Sequence, residues 1–341
     1  MWERGAGRDS AGMKRIDTLD VVRGVALCGI LAANAPTVLK LDAERGFNDV
    51  QIALGLTVQE RFFPIFSLLF GLGFGLMLAS ARRRGDDSRW PYVRRFAFLL
   101  VLGCLHQLLQ PGEALLPYAL GGLLVLLPAT WLPRWGLGLA SAVLLPAGVV
   151  AGGGSALIPG AFVLGLTLSA FEVPQQLERP GAWRVALLMA AATGAGAALL
   201  LPSLAAAPAT LGFSTKSAIA GLLMATTYVG VTVALMHTPA RRALVATFGS
   251  LGRMSLTNYV GATLLLLLAR PVQTQLGIDG TADGLLRMIV LCAGVAVLQV
   301  VVSQLWLRRF SQGPLEQVWR RVTWGSARPA SRSATPVAEA A

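Results

Sequence analysis

The stretch "RIDTLDVVRGVALCGILAANAP", residues 15–36, decides what kind of chain this is. From Val21 to Ala35 it is as apolar as a membrane span, yet Asp20 and Arg23 stand at its mouth and Asn34 lies deep inside. Three residues apart on a helix, Asp20 and Arg23 are neighbours and can pair. Arg23 and Asn34 are eleven apart, close to three turns, or about 16 Å along one face. One side of this segment therefore runs from an ion pair at the membrane edge to an amide within the hydrocarbon. Polar groups there are costly and face a partner or a cavity. The plainer reading has Asp20 capping the helix and Arg23 snorkelling to headgroup phosphates.

The rest of the chain has the same character. Of its 341 residues 55% are hydrophobic and only 13% charged, with a mean hydropathy of +0.63. A soluble domain carries about 25% charge, and this chain has too little polar surface to cover a soluble core. The expected fold is an all-α polytopic membrane helix bundle. The net charge of +12 does not point to a nucleic-acid partner, because the basic residues fall in short clusters between apolar runs, as in cytoplasmic loops. Cys28, Cys104 and Cys292 each lie within an apolar run and imply no disulfide framework. No metal site is read from the sequence. The polar N-terminus, "MWERGAGRDSAGMKR", lacks the apolar core of a cleaved signal peptide.

With about 20 residues per crossing, some ten spans are expected, near 19–39, 62–80, 92–110, 114–132, 136–153, 155–171, 184–204, 214–236, 250–269 and 284–307. The domain plan is a cytoplasmic segment at 1–15, the bundle at 16–308, an interfacial amphipathic helix at 309–324 and a disordered tail at 325–341. Arginine and lysine set the orientation. With the N-terminus inside, Arg15, Arg82 to Arg84, Arg94, Arg95, Arg241, Arg242 and Arg308 all fall inside. Lys40, Arg45, Arg61, Lys216 and Arg270 are left outside. That bias places both termini on the cytoplasmic side of the membrane. No strong internal repeat is visible, so nothing suggests a transporter of two matched halves.

Polar side chains then mark candidate sites. Span 2 opens with Glu60 and Arg61, and its Gly71, Gly73 and Gly75 suit close helix packing. Span 3 ends in "LHQLLQPGEALLPY", which holds His106, Glu113 and Tyr118. Asn34, Glu60, Arg61, His106 and Glu113 are all expected toward the outer half of the bilayer. There a histidine beside a carboxylate can serve as general base, its tautomer set by that partner. Span 9 begins "GSLGRMSLTNYVG", with Arg253, Ser255, Thr257, Asn258 and Tyr259 entering from the cytoplasm. Arg253 is placed to meet an anionic group together with Arg23. The other histidine, His237, is expected at the surface.

Five blocks together resemble the YeiB-like family of bacterial integral membrane proteins, a domain of unknown function. They are "RIDTLDVVRGVALCGILAAN", "RFFPIFSLLFGLGFGL", "RRFAFLLVLGCLHQLLQPGEALLPYAL", "GRMSLTNY" and "GPLEQVWRRVTWG". That family is distantly similar to the type-3 membrane acyltransferases and to the lysosomal heparan glucosaminide acetyltransferase. The resemblance implies an acyltransferase-like bundle that moves an acyl group from cytoplasmic acyl-CoA to a hydroxyl or amine at or across the membrane. The acceptor would be a small molecule or glycan, with membrane lipids around the protein. Type-3 enzymes share Leu19-Asp20 and Arg23-Gly24 but carry a histidine where this chain has Asn34. The acetyltransferases carry one just before the segment matching 55–66, and residues 48–55 contain none. His106 is thus the candidate base, oriented by Glu113, which keeps the charge at a position where the resemblance implies an aspartate is usual. Arg23 and Arg253 would hold coenzyme A phosphates. Asp20, Asn34, Glu60, Arg61, Tyr118, Ser255, Thr257 and Asn258 would line the site or brace it. The alternatives are a transporter or flippase for a small anionic or amphipathic molecule, and a structural or accessory membrane protein.

Overall fold

Long apolar runs without β-branched alternation fold here as helices, in a computed structural model that describes residues 15–41, 47–212 and 214–325. No strand occurs among the described residues. Of the expected terminal segments, 1–14 and 326–341 lie outside them. Helix α1, Asp17–Val38, carries Asp17 and Asp20 in its first turn, where the helix dipole favours negative charge. Helix α2, Asp49–Thr57, starts with a reciprocal capping box between Asn48 and Gln51. Helix α3, Phe63–Arg83, and α4, Trp90–Gln107, each begin with a proline in the first turn, where no backbone donor is lost.

Next come α5, Leu115–Ala129, α6, Arg134–Val150, and α7, Gly154–Ala170, all short and apolar. Helix α8, Ala182–Ala205, and α9, Thr215–Met236, form an antiparallel pair. Then α10, Arg241–Arg253, and α11, Ser255–Val272, meet at a bend of 82°. The chain closes with α12, Ala282–Leu307, and α13, Pro314–Trp324.

By length and apolarity five helices qualify as membrane spans: α1, α3, α8, α9 and α12. The bent pair α10–α11 makes a sixth if counted as one crossing. The ten expected spans are not reached by that measure. The remaining segments are α4, which carries Arg94 and Arg95, and the short α5 to α7. A helix of 15 residues reaches about 22 Å, less than the ~30 Å of hydrocarbon.

Glycine sets the closest helix contacts. A Cβ on Gly71 of α3 would overlap the carbonyl oxygen of Phe162 in α7, and one on Gly165 would overlap that of Leu68. These helices therefore touch backbone to backbone, as small residues permit in membranes. Inside that contact sits an aromatic cluster of Phe70, Phe74, Phe96, Tyr118 and Phe162.

The last helix is pinned under the bundle. The Trp319 indole N–H donates to the Arg95 carbonyl at 2.9 Å, and the Arg95 guanidinium lies 3.5 Å over the Trp319 ring. Glu316 reaches the break in the bent pair. One of its oxygens accepts from the amides of Leu256 and Thr257 at 2.7 and 3.1 Å, the other from the Thr257 hydroxyl at 2.6 Å. The orphan amides that open α11 are thereby satisfied by a carboxylate at a helix N-terminus.

Gly71→Ala is expected to lower the thermal stability of the detergent-purified protein, by about 1–3 kcal/mol for an overpacked contact. Gly138→Ala, in α6 with nothing within 4 Å of the added carbon, serves as control and leaves the melting curve unchanged or slightly raised. Equal effects from the two would contradict the close α3–α7 contact.

Candidate functional site: a buried histidine chain beside a polar crevice

The last turn of α4 and the start of α5 are held face to face by Gly103, where a Cβ would press on the backbone of Leu115 and Leu116. The chain reverses through Pro111 and Gly112, whose φ of +78° needs glycine. That reversal brings Glu113 to the N-terminus of α5. Its two oxygens accept from the amides of Leu115 and Leu116, each at 2.6 Å. The carboxylate is fixed before any side chain meets it.

His106, only 2% exposed, places Nδ1 3.3 Å from Glu113 Oε2. Its Nε2 lies 3.1 Å from the Thr263 hydroxyl of α11. Thr263 in turn contacts Oε1 of Gln110 at 2.7 Å. All four side chains are buried. With Glu113 as acceptor only, the donors and acceptors can be ordered in two ways. In one, both ring nitrogens donate, to Glu113 and to Thr263, while the threonine hydroxyl donates to Gln110; the ring is then an imidazolium. In the other, the Gln110 amide is turned by 180°. It donates to Thr263, Thr263 donates to Nε2, and only Nδ1 carries a proton. The two arrangements differ by one proton and one amide flip. Going from the second arrangement to the first adds that proton to the imidazole.

This chain opens on a crevice between α1, α11 and α12. Asn34, Gln110, Asn258, Tyr259, Thr263 and Gln299 line its polar side, and Leu31 and Leu266 are among its aliphatic lining. Its volume of about 10 Å³ gives room for roughly one water molecule. Tyr259 accepts from the Ala114 amide at 3.1 Å and interacts with the Asn34 amide. Asn258 donates to Ser303 at 3.0 Å, and Gln299 donates to the Asn258 carbonyl at 2.7 Å. Asn34, His106, Glu113 and Asn258 thus belong to one neighbourhood.

A second, wider cavity of about 290 Å³ lies at the end of the bundle where α1 begins and α12 ends. Arg15, Arg253 and Arg308 line it, together with Asp17 and Asp20. Arg23 does not line it; it pairs with Asp20 at 3.3 Å, and Arg15 Nε donates to the same carboxylate at 2.7 Å. Arg253 also donates to the Ser311 carbonyl at 3.2 Å.

Other expected site residues are braces. Tyr118 shares a 2.7 Å hydrogen bond with Ser67 inside the aromatic cluster, Thr257 binds Glu316, and Ser255 opens α11. Arg61, fully buried, donates to the carbonyls of Leu56 and Ser217 at 3.0 and 3.3 Å. Glu60 sits at a left-handed φ of +58° against the turn at Gly153 and Gly154. None of these partners is shared with His106 or Glu113. His237 is half-buried rather than on the surface, its Nε2 donating to the Leu177 carbonyl at 2.8 Å. Thr263, Gln110 and Gln299 were not singled out by sequence, and Arg15 and Arg308 were read only as markers of orientation. Thr263 sits in "ATLLLLLA", where one hydroxyl among leucines gives no signal until α4 is laid beside it.

Fold and site define an all-helical polytopic membrane protein with a buried polar chain at one end and an arginine-lined cavity at the other. Comparison with known proteins gives the family. The profile described as "Protein of unknown function (DUF418)" matches residues 171–326. The chain is 31% identical over 331 residues to the "Uncharacterized 39.9 kDa protein in amylase 3'region" of Bacillus acidopullulyticus, covering 91% of this chain and 94% of the relative. It is 27% identical to YxaH of Bacillus subtilis, over 94% and 96% of the two chains, and 28% identical to YeiB of Escherichia coli, over 93% and 98%. The chain belongs to this YeiB-like DUF418 family. No solved structure matches it.

Burial pushes the Glu60 carboxyl up to about 7, against the opposing pull of Arg61 and the Gly154 amide. The folded state thus holds a proton that the unfolded chain releases near 4.5. Stability from this group is complete below that value and is lost as pH rises through about 7. Melting temperature is expected to fall between about pH 4.5 and about pH 7 and to level off above, and Glu60→Gln should flatten that slope. An unchanged slope in the variant would contradict the assignment.

Proposed function

We propose that this protein is a membrane acyltransferase. In this reading it takes an acyl group from cytoplasmic acyl-CoA and passes it to a hydroxyl or amine acceptor, a small molecule or glycan, at or across a bacterial inner membrane. The observation that carries the reading is the Glu113–His106–Thr263 chain beside the crevice. Acyl transfer releases one proton from the attacking hydroxyl or amine, and a base must take it. Reversal of this chain delivers such a proton from Thr263 to His106, with the imidazolium formed against Glu113. The arginine-lined cavity supports the donor side. We take that end as cytoplasmic on the positive-inside rule. There Arg15, Arg253 and Arg308 would meet coenzyme A phosphates, while Arg23 holds Asp20 in place. Asn258, Ser303 and Gln299 continue the polar lining from that end toward the crevice.

The second reading is transport or lipid flipping of a small anionic or amphipathic molecule. The 82° break between α10 and α11 favours it, because discontinuous helices mark binding sites in transporters.

Purified protein offered labelled acetyl-CoA and a mixture of hydroxyl and amine acceptors is expected to turn over. His106→Ala should lower kcat by about 10²–10⁴-fold, as for loss of a general base. Binding without turnover, indifferent to His106→Ala, would favour transport. Turnover that survives the substitution would remove His106 as the base.

A further inference from the structure

Thr263 carries more chemistry than a relay requires. Its Oγ lies 3.1 Å from His106 Nε2, and the opposite ring nitrogen lies 3.3 Å from a carboxylate that two backbone amides lock in place. Hydroxyl, imidazole and carboxylate in that order and at those separations are the signature of an activated nucleophile. The three come from helices brought together across 157 residues of sequence. Their hydroxyl end, not the imidazole, lines the crevice. His106 is buried and is not part of that lining, so Thr263 stands between the crevice and the base. Asn34 and Tyr259, on the same crevice, offer an amide and a phenol hydroxyl to an oxygen developing negative charge.

We infer that Thr263 is the nucleophile of a two-step transfer and carries the acyl group as an ester between the steps; this rests on the acyl-transfer reading above. In the first step Thr263 Oγ bonds to the thioester carbonyl carbon as its proton passes to His106 Nε2. The carbon–sulfur bond then breaks and the departing thiolate takes that proton, leaving acyl-threonine and free coenzyme A thiol. In the second step the acceptor oxygen or nitrogen bonds to the ester carbonyl, its proton again held on Nε2. The Thr263 carbon–oxygen bond to the acyl group breaks, and the hydroxyl is restored by that proton. No oxidant, reductant or metal enters either balance.

The full chain in detergent, given labelled acetyl-CoA without acceptor, is expected to gain the mass of one acetyl group, mapped to the peptide containing 255–272. Thr263→Val should abolish the adduct and reduce turnover by about 10³-fold or more, whereas Thr263→Ser should retain both. The adduct on the unaltered chain decides the matter even if Thr263→Val folds poorly. Wild-type turnover without an adduct, with Thr263→Val still active, overturns the two-step scheme and leaves direct acyl transfer standing. Absence of both adduct and turnover from the wild type overturns the acyl-transfer reading and this inference together. A threonine adduct that forms but is not discharged by any acceptor at a rate matching turnover overturns its place as an intermediate.

Discussion

The arrangement at the far end of the bundle depends on one carboxylate, that of Glu113, bound by the first two amides of α5. In a membrane interior an amide without an acceptor costs several kcal/mol, by the general scale for unsatisfied backbone groups. Glu113 removes that cost where α5 begins, and in doing so becomes immobile. A histidine facing an immobile carboxylate has its ring orientation chosen for it. Everything else in the chain follows: Nε2 turned to α11, Thr263 bridging to Gln110, and a polar seam held open among leucines.

The same solution appears at the other discontinuity. Where α10 ends and α11 begins, the orphan amides of Leu256 and Thr257 find Glu316 from α13, some 60 residues onward. The starts of α5 and α11 are thus both capped by carboxylates, one local and one distant. The distant one ties the C-terminal helix to the bent span, and Trp319 on Arg95 ties it to α4. Any movement of α13 would therefore be felt at the start of the helix that carries Thr263. The arginine-lined cavity lies beside this junction, so its shape and the bend in α10–α11 are linked through shared residues such as Arg253.

Much of this was legible from local sequence. Asp20 and Arg23 pair as their spacing implied, and His106 and Glu113, seven residues apart across a Pro-Gly reversal, meet. The glycines of α3 pack as a helix interface. What escaped was long-range or masked by composition. Thr263 lies in a leucine run, and its meaning depends on α4 lying alongside. Arg61 looked like an outer-site residue, but its Nε and Nη1 donate to the carbonyls of Leu56 and Ser217, which no spacing rule reveals. Span count was obscured for a different reason. Apolar runs joined by "PGE" and "GGGS" fold as helices as short as Leu115–Ala129 and Gly154–Ala170, so a hydropathy reading counts segments that the length measure leaves out.

The central claim is that Glu113 holds the His106 ring in one orientation, with Nδ1–H toward the carboxylate and Nε2 directed at Thr263. Since the chain has two histidines, His237→Gln leaves a single ring to observe by nitrogen NMR of ring-labelled protein in bilayers. The expected spectrum has a persistently protonated Nδ1 and a hydrogen-bonded Nε2 that both shift in Glu113→Gln and in Thr263→Val. A ring that averages between tautomers and exchanges freely with water, unmoved by either substitution, would contradict the account.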